Sequence, residues 1–81
     1  QVLICPIVSL DFAAPSYRVN ASARPYGTAA IQWFARQYLS KKANWESPYV
    51  DLMIKSGIDL PPATVIVAEL DPLRSEGEAY H

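Results

Sequence analysis

The chain has 81 residues, a formal net charge of −1 and a hydrophobic content of 51%. Its basic and acidic residues are scattered and leave no basic footprint for a phosphate backbone, which argues against a nucleic-acid partner. The apolar runs Val2–Val8 and Ala63–Ala68 fall far short of the ~20 residues that span a bilayer, and with no basic segment leading into an apolar leader the expected location is the cytoplasm. A lone cysteine, Cys5, cannot close an internal disulfide. A chain of this size buries only roughly 60% of its unfolded surface, so a partner or self-association is expected to complete it.

In chain order, residues 1–10 read as a strand. Val2 to Leu10 is rich in Val, Ile and Leu, with Pro6 confined to an end, an edge or a bulge. Residues 11–26 hold Pro15, Pro25 and several small residues without a sustained period, and read as an irregular connection. Thr28–Leu39 is the clearest helix: Ile31, Phe34, Ala35, Tyr38 and Leu39 share one face at a 3.6-residue period. Thr28 is the expected N-cap, and Lys41-Lys42 suit the negative pole of the helix. Trp33 lies off the stripe, where it either packs on a neighbour or faces a cavity.

Over Asn44–Ser56 a short helix starting at Ser47-Pro48 and stopping at Gly57 competes with an extended path. Residues 58–62 are a connector stiffened by Pro61-Pro62. Thr64–Ala68 is almost continuously β-branched and apolar, as befits a strand covered on both faces of a parallel sheet. Asp71-Pro72 then turns the chain, and Ser75 with Glu78 has the spacing of a capping box at a helix start. The stretch between the strands is too long for a hairpin and fits a parallel crossover. The fold class is therefore α/β, a single unit of residues 1–81. It comprises a strand (1–10), a long helical crossover (11–62), and a strand, acid turn and helix start (63–81).

A carboxylate just past the C-terminal end of a buried strand stands where open α/β sheets keep their chemistry, which singles out Asp71. The plainer alternative is that Asp71 only turns the chain, as Asp-Pro often does. Asp59, Glu69, Asp71, Glu76, Glu78 and His81 make the C-terminal third acidic, but one histidine and no cysteine there do not make a zinc site. No metal or cofactor is expected. Cys5 has no histidine nearby in sequence and reads as a buried, inert thiol.

Leu60-Pro61-Pro62-Ala63-Thr64 followed by Glu69-Leu70-Asp71-Pro72-Leu73-Arg74-Ser75-Glu76-Gly77-Glu78-Ala79-Tyr80 resembles the triad-acid region of the hormone-sensitive-lipase-like esterase family of α/β hydrolases. Gln1-Val2-Leu3-Ile4-Cys5-Pro6 is similar to an earlier strand of that family, which usually closes on Tyr-Pro, so Cys5 departs from the pattern. Trp33-Phe34 with Tyr38-Leu39 resembles a helix of the family's cap region. The resemblance spans nearly the whole chain and is weakest between Asp11 and Tyr26.

It implies a partial α/β hydrolase with two parallel strands joined by a helical crossover. It further implies a Ser-His-Asp mechanism on a small carboxylic ester, with Asp71 as the triad acid and Trp33 and Phe34 as candidates for the wall of an acyl or alcohol pocket. In such enzymes the serine sits in a G-x-S-x-G elbow and the histidine follows the acid. Residues 1–81 contain neither that elbow nor an H-G-G-G segment, and His81 stands too soon after Asp71 to be the family's histidine. The expectation is a piece of an esterase, inactive alone, completed by self-association or by the rest of the hydrolase. The alternative is a small non-catalytic α/β module acting through homo-oligomer or partner contacts.

Overall fold

Two short strands, β1 (Val2–Ile4) and β2 (Thr64–Ile66), pair in parallel in a computed structural model that describes residues 1–54 and 59–81. Val2, Leu3 and Ile4 stand opposite Thr64, Val65 and Ile66. The ladder is extended by Thr64 N–H donating to Gln1 O and Cys5 N–H donating to Ile66 O, both at 2.8 Å. Each strand is shorter than its apolar run predicts. β1 ends after Ile4 instead of reaching Leu10, because Cys5 takes a left-handed φ of 43° and Pro6 has no N–H to give the ladder. β2 ends at Ile66 instead of Ala68. Leu3 and Val65 are half-buried, whereas Val2 (64% exposed), Ile4 (70%) and Ile66 (47%) face outward. Of the two covered faces expected for the sheet, this chain supplies one.

Residues 11–26 are not wholly irregular. They contain a short helix, α1 (Pro15–Val19), with proline in the first turn, where its missing N–H costs nothing. Ser16 and Tyr17 of α1 are buried, and the Tyr17 ring meets Phe12 edge-on at 5.0 Å. Next comes α2 (Thr28–Tyr38), burying Ile31 and Ala35 as the periodicity predicts. Gly27, not Thr28, is its N-cap. The Thr28 hydroxyl instead donates to the Tyr17 carbonyl and pins α2 to the end of α1.

Beyond α2 the chain makes 3-10 turns over Lys42–Glu46 and Leu52–Ile54, with no α-helix starting at Ser47-Pro48. The Ser47 carbonyl takes the N–H groups of Val50 and Asp51 in a single closed turn, and Leu52 N–H then leaves for the Val8 carbonyl at 2.8 Å. The stop expected at Gly57 lies outside the described residues.

The last helix, α3 (Arg74–Tyr80), begins one residue before the expected cap. Ser75 lies inside it, because Asp71 reaches the free donors first: Leu73 N–H donates to Asp71 Oδ1 at 2.8 Å and Arg74 N–H to the Asp71 carbonyl at 3.1 Å. Glu78 closes no capping box and meets Arg74 Nε at 3.5 Å. Gly77 lets α3 lie against β2, since a Cβ there would stand 2.7 Å from Val67 Cγ1. Val8, Tyr17 and Pro72, all fully buried, mark a core between the segment after β1, α1 and the Asp71 turn. Among the described residues no helix is long and apolar enough to cross a membrane.

Candidate functional site

Asp71 lies past the carboxyl end of β2, half-buried, in a turn clamped from both sides. At the C-cap of α1, Asn20 Nδ2 donates to the carbonyls of Asp71 (3.1 Å) and Glu69 (3.4 Å). From α3, Arg74 Nη1 donates to the Glu69 carbonyl at 3.2 Å. Asp71 Oδ1 is fixed by the Leu73 N–H, so the carboxylate has one orientation set by its own turn. At the matching end of β1 the Cys5 thiol comes up beside it. Burial raises the thiol pKa, and the Asp71 carboxylate adds to the rise. Cys5 is half-buried, not buried, and the rise favours its thiol form.

Five positions beyond Asp71, Glu76 turns inward and is only 4% exposed. Its Oε2 accepts the N–H groups of Val8 (3.1 Å) and Ser9 (2.7 Å), and its Oε1 accepts the Tyr17 hydroxyl (2.7 Å). Three donors converge on one carboxylate, the arrangement that makes a buried charge tolerable. Burial and the adjacent Glu76 carboxylate push the Tyr17 hydroxyl pKa well up. A second knot lies beside it: Ser75 N–H donates to Ser16 Oγ at 3.0 Å, Ser16 N–H to Ser75 Oγ at 3.1 Å, and the Ser16 hydroxyl to the Pro72 carbonyl. Together these bonds bolt α1 and the segment after β1 to the Asp71 turn.

The acidic third of the chain thus divides by direction. Glu76 points into the core, Glu78 pairs with Arg74 at the surface, and Asp71 stays at the strand end. His81 follows the far end of α3, and seven residues of helix rise about 10 Å, which parts it from the Asp71 turn. Tyr17, Asn20 and Ser16 were not singled out by the sequence pattern, and Glu76 stood there only as one of the acidic residues of the C-terminal third. The one local sign was Glu76 beside Gly77, a carboxylate on a helix face that has room only for a close approach.

A hollow of about 380 Å³ opens between α2 and the segment after β1, with an almost wholly apolar lining that includes Ile7, Leu10, Ile31, Phe34, Tyr38 and Val50. Phe34 lines it and Trp33 does not. Trp33 backs Phe34 edge-on at 5.4 Å, and Tyr26 meets the same ring at 5.6 Å.

A family model described as alpha/beta hydrolase fold matches residues 1–81. Esterase LipI of Mycobacterium tuberculosis is 35% identical over 82 residues, covering 99% of this chain and 26% of its own length. The arylesterase of Saccharolobus solfataricus is 32% identical over 84 residues, covering 99% and 27%. Ethyl acetate hydrolase of Pseudomonas putida is 30% identical over 81 residues, covering 99% and 26%. The chain spans about a quarter of the length of these curated relatives. No solved structure gives a significant match.

Proposed function

Because this chain belongs to the α/β-hydrolase fold, in its hormone-sensitive-lipase-like family, we propose that it is the part of a serine carboxylesterase that carries the triad acid, Asp71. The observation that carries this reading is the turn itself. A carboxylate stands at the carboxyl edge of two parallel strands, with one oxygen fixed by the Leu73 N–H and its backbone held by Asn20. A triad acid needs that fixity. It accepts the histidine Nδ1–H, holds the ring in one tautomer and stabilises the imidazolium formed as the serine attacks the ester carbonyl. The serine and histidine come from outside residues 1–81, so these residues alone carry an orienting group and no nucleophile.

The apolar hollow beside the β1 exit is the candidate acyl site. Phe34 forms part of its wall, and the Trp33 ring meets Phe34 edge-on. A lining with almost no polar surface suits a short or medium acyl chain, consistent with relatives named as esterases and an ethyl acetate hydrolase. The exposed side chains of Val2, Ile4 and Ile66 favour association with further protein, for which the rest of the hydrolase is the natural occupant.

The test is hydrolysis of nitrophenyl esters by the whole polypeptide that carries these residues. Asp71→Asn is expected to lower kcat by about 10⁴-fold, because the amide favours the wrong histidine tautomer. An Asp71→Asn enzyme of wild-type rate would overturn the assignment.

A further inference from the structure

Glu76 makes no hydrogen bond to the Asp71 carboxylate, whose Oδ1 takes the Leu73 N–H, yet it is the most heavily bonded side chain near it. Its two oxygens gather donors from two places: the backbone of Val8 and Ser9, and the hydroxyl of Tyr17 on α1. Val8 and Ser9 are bracketed by Ile7 and Leu10, both of which line the apolar hollow. The Val8 carbonyl meanwhile receives Leu52 N–H from the far side of the crossover, so this short segment is gripped on both of its polar edges. α3, which carries Glu76, starts three residues after Asp71.

We infer that Glu76 is a positioning residue that ties the Asp71 turn to the floor of the apolar hollow, so that the acid and the acyl wall keep one relative geometry. This rests on reading Asp71 as the triad acid and the hollow as the acyl site. An apolar side chain at this position would leave two backbone N–H groups buried without partners, and the segment would move to satisfy them. Ile7 and Leu10 would move with it, shifting the acyl chain relative to the reacting carbon. Glutamine can keep the tie. Its carbonyl oxygen replaces Oε2 toward Val8 and Ser9, and its amide donates to the Tyr17 oxygen, which can accept as well as donate.

The test measures kcat/KM on nitrophenyl acetate and nitrophenyl hexanoate for the whole polypeptide, as wild type and as Glu76→Ala, Glu76→Gln and Asp71→Asn. Glu76→Ala is expected to change the hexanoate-to-acetate ratio by about tenfold, a fraction of the roughly 100-fold that a 1 Å misplacement of reacting groups can cost. Glu76→Gln should restore the wild-type ratio, while Asp71→Asn lowers both rates alike. A folded Glu76→Ala protein with the wild-type ratio, or a Glu76→Gln protein no better than alanine, overturns the inference.

Amide hydrogen exchange reads the tie without any turnover, and Tyr17→Phe serves where Glu76→Ala does not fold. Loss of the hydroxyl is expected to speed exchange at Val8 and Ser9, and also at Leu73, whose N–H reports the Asp71 carboxylate. Exchange at Leu73 unchanged while Val8 and Ser9 accelerate would overturn the coupling. That result is distinct from a wild type that hydrolyses no ester, which would sink the esterase reading alone.

Discussion

The sheet and the junction behind it are built in opposite ways. β1 and β2 are three residues each, held by backbone bonds, and they turn Val2, Ile4 and Ile66 outward. The junction of α1, α3 and the segment after β1 is sealed around Glu76, Ser16 and Asn20, polar side chains that are each under a tenth exposed. Here the interior is organised by hydrogen bonds and the apolar surface is left over. Hydrophobic burial is non-directional, so a small apolar core would leave the Asp71 turn free to slide, whereas a carboxylate with three donors has one solution. The sheet face is the part of this chain that stays exposed, and the junction is the part that is closed.

The largest effect that would break this contrast is at Glu76. Glu76→Ala strands the Val8 and Ser9 amides and the Tyr17 hydroxyl, and is expected to cost about 4 kcal/mol in urea unfolding of the whole polypeptide. A loss no larger than that of a surface substitution would show the junction to be dispensable. The sheet face is probed by Ile4→Ser. If further protein covers that face, the change costs about 2 kcal/mol; a loss below about 0.5 kcal/mol would mean that it stays in water. The covered value is expected, since the relatives are roughly four times as long as this chain.

Gly77→Ala lies where the two regions touch. Its methyl would stand 2.7 Å from Val67 Cγ1 and push α3 off β2, at an expected cost of about 1.5 kcal/mol. The smallest effect is Tyr17→Phe, about 1 kcal/mol at neutral pH, because it removes one donor and leaves the ring against Phe12. It carries a pH signature. With its pKa raised on folding, the neutral Tyr17 hydroxyl contributes stability that is complete below the unfolded value of about 10 and is lost as pH rises above it. Tyr17→Phe should flatten that alkaline fall in melting temperature.

What the sequence makes legible follows the reach of each interaction. The α2 stripe repeats within a turn, the parallel pair follows from two β-branched runs set far apart, and Asp71-Pro72 announces its own turn, so local pattern suffices. Residues 11–26 hid α1 because a five-residue helix has no room to display a period. Ser75 looked like a cap because its spacing to Glu78 is right, but Asp71 is closer to the free amides and takes them. Glu76 was hidden most deeply. It joins residues 67 and 68 positions away, and the one sign within a helical turn, the neighbouring Gly77, marks a close approach without saying that the carboxylate beside it is buried.

Whether Asp71 orients a histidine can be read by proton NMR of the whole polypeptide in water. A far-downfield imidazole N–H resonance, from a histidine donating to the Asp71 carboxylate, is expected in the wild type and should disappear in Asp71→Asn. The same resonance persisting unchanged in Asp71→Asn would contradict that role.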